Sequence, residues 1–431
     1  MSSSLAATLE RPCAALAGQY ETVRAFTEKI CAPLVTEDYA IQSMPDCSPA
    51  KWHLAHTSWF FETFVLKAVD PDYRSPHAQY DFLFNSYYNS VGDRHCRAKR
   101  GLISRPTVDE TYTYRAHVDE AMRAFFAGAS PEQMASMASV IEIGLHHEQQ
   151  HQELMVTDLK HMFSENPLLP VYRSRETPPS PTVPALHWVA FEGGLDWIGH
   201  DGEGFSYDNE GPRHQTFLQP FQLASRLTTA GEYLAFMEDG GYRRPEFWLA
   251  EGWGIVQARG WEAPLYWERA GDGSWVQMTL SGPRPVDPSE PVCHVSFFEA
   301  EAYAAWAGAR LATEAEWEVA SRTVSRDGNF VESESFHPVP LTGDAPGLRQ
   351  MFGDVWEWTQ SPYTPYPGYR AAPGALGEYN GKFMSSQYVL RGGSCATSQT
   401  HIRSTYRNFF SPDARWQLMG IRLAKDDTCR S

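Results

Sequence analysis

A chain of 431 residues with 42% hydrophobic and 13% aromatic content has enough apolar surface to fold and too much length for one ordinary core. Its formal charge of −17, from 36 basic against 53 acidic residues, excludes the broad basic surfaces that nucleic acids and anionic membranes demand, so neither is expected as a partner. Seven scattered cysteines without a C-x-x-C, no run near the ~20 apolar residues of a membrane helix, and an N-terminus interrupted by Glu10 and Arg11 read as a soluble cytoplasmic protein with reduced thiols.

The first half reads as helices. Apolar residues recur at helical spacing over 16–33. Ser48 followed by Pro49 reads as an N-cap with proline at the first helical position, opening a helix to about residue 68. A third helix is expected over 107–127. Ser130, Pro131, Glu132 and Gln133 make a capping box, and no breaker follows until Pro167, so the last helix extends up to ~33 residues, or ~50 Å. Four long helices with connections of mixed length describe a bundle, whose core is a customary place to mount a metal. Six prolines between 164 and 186 then forbid helix or central strand, which places a linker at 166–185 between units at 1–165 and 186–431. Beyond it the chain is rich in Gly, Trp and turn residues, with helical signal only near 228–240 and 296–308. The expected fold class is a multi-domain α and α+β chain, a four-helix bundle followed by an irregular α+β domain.

Chemistry enters at HHEQQHQE, positions 146–153. Residues four apart on a helix sit ~40° apart around the axis and ~6 Å along it, so His147 and His151 face the same way. Read literally, His147, Glu148 and His151 are the zinc-protease signature H-E-x-x-H. That reading needs a third ligand downstream and Glu148 as general base, but Glu153, His161 and a proline linker do not match the extended protease motifs. A polar, exposed helix is the bland alternative. The stretch KWHLAHTSWFFETF adds His53 and His56 among bulky apolar residues, on a helix that faces a core. One histidine from that helix would complete a three-nitrogen site, with open positions suited to Fe(II), Zn(II) or Cu chemistry.

H-x-A-H-x-x-W-F at 53–60, H-E-Q-Q-H-x-E at 147–153, G-D-V-W-E-W at 353–358 and R-G-G-S at 391–394 together resemble one family. DNEGPRH at 208–214, LATEAEWEVA at 311–320 and YRNFFSPDARWQLMGIRLA at 406–424 extend the likeness over nearly the whole chain. The pattern is similar to the iron-dependent sulfoxide synthases of ergothioneine biosynthesis, which join a DinB-like four-helix bundle to a domain like the formylglycine-generating enzymes, a C-type-lectin-like α+β fold. The resemblance implies an iron site in the bundle and a second domain that closes the substrate pocket. It also implies an O2-dependent oxidoreductase reaction: Fe(II) with hercynine (Nα-trimethylhistidine) and a cysteine-type thiol, giving a C–S bond at the imidazole carbon and a sulfoxide.

Carried over by motif, the ligands are His56, His147 and His151. Neutral imidazoles hold iron without cancelling its charge, and with no carboxylate in the set Glu148 and Glu153 fall outside it. The resemblance places Gln150 near the hercynine imidazole. The trimethylammonium cannot donate N–H bonds, so amide oxygens and aromatic faces must hold it. The family's R-N-W-D segment reads here as Arg407, Asn408, Phe409, Phe410: Asn408 carries over, Phe409 keeps a ring without the indole nitrogen, and Phe410 removes the aspartate that pairs with a glutamyl ammonium. That substitution points to free cysteine over γ-glutamylcysteine as the thiol. Arg97 and Arg100 match an R-x-x-R expected to hold the thiol substrate's carboxylate. The proton donor of the family is a tyrosine. Tyr87 and Tyr88, nine residues or so before Arg97, stand ahead of Tyr379, which comes from the glycine-rich interval between G-D-V-W-E-W and R-G-G-S.

Formylglycine-generating enzymes use a cysteine pair after R-G-G-S, but Thr397 and Ile402 occupy those positions here and Cys395 follows Ser394 directly, so that oxidase chemistry is not expected. Two rivals accompany the main reading: a metal-dependent hydrolase or thiol transferase on the same kind of bundle, and a non-catalytic metal- or ligand-binding protein.

Overall fold

The computed structural model describes residues 2–175, 181–373 and 375–427, so Pro178 and Pro179 of the linker lie outside it. The described residues fall into two compact units. One comprises 1–165 with 374–379, the other 166–373 with 380–431. The grouping of 374–379 with the helical unit is a feature that a division in chain order at 186 does not contain.

The first unit is a bundle of four helices: α1 (Ser2–Cys31), α2 (Ala50–Phe61), α3 (Val108–Gly128) and α4 (Pro131–Glu165). α1 packs along α4, and α2 packs on α3 and α4. The last two helices start where local chemistry says they should. Thr107 Oγ1 accepts from the Glu110 amide at 3.1 Å while Glu110 Oε2 accepts from the Thr107 amide at 2.7 Å. Ser130 and Gln133 exchange the same pair of bonds at 2.9 and 3.2 Å.

The second helix departs from expectation. Pro49, not Ser48, occupies the N-cap, and no side chain caps the end. Ser48 is spent on tertiary bonds instead: its amide donates to Asp158 Oδ2 at 2.8 Å, and its hydroxyl accepts from Arg100 Nη1 at 2.9 Å. All twelve residues of α2 are buried, as befits a helix that is apolar on every side. It continues through a π-helical turn, Glu62–Leu66, into Lys67–Val69. α4 presses against it at Gly144, where any Cβ would stand 2.6 Å from the Phe61 ring and 2.9 Å from the Phe60 ring. That close approach, one turn before His147, brings the two histidine-bearing helices together.

The second unit is α+β. One four-stranded sheet runs in the order Trp188–Phe191, Phe221–Ala224, Leu423–Asp426, Arg310–Leu311, all antiparallel. Another runs Asn408–Phe410, Tyr388–Arg391, Trp356–Pro362, Met419–Gly420, with only the last pair parallel. Its helices are α5 (Ala230–Glu238), α6 (Ala250–Arg259), α7 (Phe297–Trp306) and α8 (Glu314–Ser321). α5 and α7 lie within the expected segments, whereas α6 and α8 fall outside them.

The recurring motifs of this unit meet in its core. Glu357 accepts from Trp317 Nε1 at 2.7 Å and pairs with Arg422 at 2.8 Å. Arg391 pairs with Glu314 at 3.0 Å and Glu318 at 3.2 Å, and Glu314 also takes Arg407 at 2.8 Å. Gly392, at φ +96°, would set a Cβ 2.7 Å from the Met351 carbonyl, so only glycine fits between those partners.

Candidate metal centre

His56 on α2 and His147 and His151 on α4 are buried, and their ligand atoms lie within 4.8 Å of one another. The His56 and His147 Nε2 atoms stand 3.1 Å apart. Two nitrogens each ~2.1 Å from one ion, and about 90° apart on it, would be separated by ~3.0 Å, so this spacing suits neighbouring ligands of a shared cation. Each ring is neutral. Burial pulls the protonation of all three down, His147 to about 3, and mutual repulsion works the same way on His56 and His151.

The His56 ring is held on both faces and at one edge. It stacks on Trp52 at 4.5 Å and on Trp59 at 5.6 Å, and its Nδ1 lies 2.6 Å from the Phe84 carbonyl. A carbonyl only accepts, so Nδ1 carries the proton and Nε2 keeps its lone pair for a metal. His147 Nδ1 is buried with no hydrogen-bond partner among the described residues. Trp52, four residues before His56, is the contact of this ring that the motifs alone do not single out; the W-x-x-x-H spacing, one helical turn, is the signal for it.

Glu148 faces the other way. Its carboxylate takes Arg115 at 2.7 Å, Arg24 at 3.0 Å and the Thr27 hydroxyl at 2.6 Å. Burial opposes its charge, but Arg115 and Arg24 overcome that and hold it down to about 2. A carboxylate so locked is no general base, and the zinc-protease reading of H-E-x-x-H loses its essential group. Glu148→Gln should therefore cost stability, about 3 kcal/mol for breaking one side of a buried ion network, and lower the melting temperature of the metal-free protein. The sign follows from the depressed value. This contribution is complete above the ordinary carboxylate range near 4.5 and is lost as pH falls toward 2, so the variant should flatten the acid side of the stability curve. An unchanged acid slope in thermal melts from pH 6 to 2 would refute this assignment.

Phenols and a guanidinium of this unit also lie near the triad. Tyr379 donates to Gln150 Oε1, and its ring centre is 5.7 Å from that of His147. The Tyr87 ring lies 6.0 Å from Tyr379 and 4.7 Å from Tyr88. Desolvation raises the Tyr87 phenol, with the Tyr88 and Tyr379 hydroxyls acting against it. Asn85 clasps this loop, exchanging bonds with Tyr88 at 3.0 and 3.1 Å and reaching the Gly92 carbonyl at 3.1 Å. Glu378 accepts the Asn89 and Ser90 amides at 3.0 and 2.9 Å, tying residues 374–379 to the same loop. Arg100 is buried, lies 3.3 Å over the Trp52 ring, and bonds to the Ser48 and Ser86 hydroxyls. Burial pulls its protonation down to about 8, Arg97 works the same way, and the Asp158 carboxylate opposes them. Arg97 is exposed and donates to the Asp46 carbonyl.

Comparison with known proteins agrees with this architecture. The DinB superfamily model matches residues 19–155, and the sulfatase-modifying factor enzyme 1-like domain matches 173–342 and 334–427. The chain is 33% identical over 406 residues to the hercynine oxygenase of Mycobacterium tuberculosis, covering 89% of this chain and 92% of that protein. It belongs to the hercynine oxygenase family. A second member, from Mycolicibacterium thermoresistibile, is 33% identical across 89% of this chain and 88% of its own. The formylglycine-generating enzyme of Thermomonospora curvata is 29% identical across 57% of this chain and 96% of that protein. As a hercynine oxygenase homologue the chain is an oxidising enzyme, and its buried three-histidine group could hold a metal. No described helix is long and apolar enough to cross a membrane.

In this hercynine oxygenase homologue Asn408, Phe409 and Phe410 form an edge strand of the second unit, in register with Leu390, Val389 and Tyr388. Asn408 Oδ1 accepts its neighbour's amide at 2.9 Å. The Phe409 ring stacks on Tyr363 at 4.1 Å with Phe383 at 5.9 Å, and Phe410 meets Trp416 edge-on at 5.8 Å. Arg407 holds the strand's start through Glu314, at 2.8 Å.

Proposed function

We propose that this chain is a non-haem Fe(II), O2-dependent sulfoxide synthase of ergothioneine biosynthesis that joins the sulfur of cysteine to the imidazole carbon of hercynine. The carrying observation is the group of three buried, neutral histidines without a carboxylate, in a chain matched almost end to end by hercynine oxygenases. The electron count is consistent. Forming the C–S bond removes two electrons and oxidising sulfur removes two more, which matches O2, one oxygen staying on sulfur and one leaving as water.

Fe(II), when bound by His56, His147 and His151, supplies open coordination positions and the redox chemistry with O2. The protein's own groups do the rest. His56, stacked between two indoles, keeps Nε2 aimed at the ligand position. Arg100, buried over the Trp52 ring and bonded to the Ser48 and Ser86 hydroxyls, is the group best placed to receive a substrate carboxylate, which would favour the charge that burial opposes, with Arg97 on the solvent side. Gln150 and the Tyr379 hydroxyl provide an acceptor and a proton beside His147. Asn408 and Phe409 are assigned to the trimethylammonium by resemblance. Phe410 offers no charge for a glutamyl ammonium.

The test uses anaerobically prepared Fe(II) protein and both thiols. Oxygen uptake should require hercynine and a thiol together, and cysteine should exceed γ-glutamylcysteine in kcat/KM by at least ~10-fold, the worth of one lost charge pair. Phe410→Asp should narrow that ratio. Uptake independent of hercynine would defeat the reaction, and a wild-type preference for γ-glutamylcysteine would defeat the thiol assignment.

A further inference from the structure

His53, which the motif leaves outside the ligand set, lies between His151 and a carboxylate. Its Nε2 is 3.1 Å from Asp158 Oδ2, and its Nδ1 is 2.8 Å from His151 Nδ1. All three side chains are buried. The proton positions follow from the acceptors. A carboxylate only accepts, so a neutral His53 carries its proton on Nε2 and presents a lone pair at Nδ1. Two lone pairs do not face each other at 2.8 Å, so His151 carries its proton on Nδ1. Its Nε2 is then the bare nitrogen, which is the form a metal needs.

We propose that His53 and Asp158 are positioning residues that lock His151 in its metal-binding tautomer through an Asp158–His53–His151 hydrogen-bond relay. This rests on the three-histidine metal reading and extends it to residues that touch no metal. Asp158 suits the role for a second reason: it also accepts the Ser48 amide at 2.8 Å, next to the Pro49 cap of α2. One carboxylate on α4 thereby fixes both the start of α2 and the ring that α2 presents to His151. His56 reaches the same end by a different route, through the Phe84 carbonyl.

Two measurements test the relay, neither of which reads activity. Long-range 15N–1H correlation spectra of the metal-free wild type should show His151 protonated on Nδ1 and His53 on Nε2. Competition of Zn(II) and Fe(II) against a chromophoric chelator should give His53→Leu a Kd about 10- to 100-fold weaker than wild type, the usual cost of losing such an outer partner. Asp158→Asn keeps a carbonyl oxygen where both donors point and should stay within a few-fold of wild type, whereas Asp158→Leu should match His53→Leu. His53→Gln, whose amide oxygen can accept from His151 Nδ1, covers the case in which the leucine variant does not fold; it too should retain affinity. A wild-type His151 protonated on Nε2, or an unchanged Kd in His53→Leu beside a tightly binding wild type, overturns the relay alone. A wild type that binds neither ion overturns the metal reading and the relay with it.

Discussion

Alanine at His56, His147 or His151 is expected to abolish turnover, with metal affinity falling by well over ~100-fold, beyond what loss of an outer-shell partner costs. In the proposed centre three nitrogens would be the whole protein ligand set, so two would not keep the ion against a chelator. The fold should survive, because each change removes one neutral ring from a core whose helices are held by other contacts; a loss of about 1–3 kcal/mol is the usual range for such a cavity. Metal content after dialysis, read beside the melting temperature, separates these effects. The three variants should also differ in the metal-free state. His147 Nδ1 is buried without a described partner, so its removal deletes a desolvated polar atom, whereas His56→Ala also removes a ring stacked between Trp52 and Trp59. His56→Ala should therefore be less stable than His147→Ala. Full activity in His56→Ala would show that the wrong histidine of the HLAH pair was chosen.

The parts of this molecule that were legible in sequence are those specified by nearby residues. Thr107 with Glu110 and Ser130 with Gln133 signal helix starts because donor and acceptor are three residues apart. His147 and His151 declare a shared face because four residues make about one turn. Where a residue is claimed by a distant partner, local reading misassigns it. Ser48 looked like a cap but serves Asp158 and Arg100, 110 and 52 positions away. For Glu148 the local pattern H-E-x-x-H offers a catalytic base, which the sequence already disfavours, while the arginines that neutralise it come from 124 and 33 residues away. The bond of His53 to a carboxylate is illegible locally for the same reason, since that carboxylate is 105 positions distant. The grouping of 374–379 with the helices is the extreme case, and it decides which tyrosine stands nearest the triad.

Phenylalanine at Tyr379 is accordingly expected to cost sulfoxide formation ~10²- to 10⁴-fold, the range of a positioned general acid, while oxidation of the thiol alone persists. The sequence reading placed Tyr87 and Tyr88 first, on their closeness to Arg97. In the folded bundle the three phenols form a series. Tyr379 bonds to Gln150 beside His147, Tyr87 lies 6.0 Å from Tyr379 ring to ring, and Tyr88 lies 4.7 Å behind Tyr87 with its ring against Trp59 and Phe64. If the proposed reaction draws its proton from this series, it would leave from the first member and be replaced from the second. Tyr87→Phe should thus lose activity less than Tyr379→Phe, and Tyr88→Phe least, since its ring packing is kept and only a remote hydroxyl goes. Each change preserves the ring, so stability should move little and the comparison stays one of acid chemistry. Product ratios of sulfoxide to oxidised thiol, measured for the three variants under saturating cysteine and hercynine, decide the order. A dead Tyr87→Phe or Tyr88→Phe beside a fully active Tyr379→Phe would move the donor to the loop that Asn85 clasps.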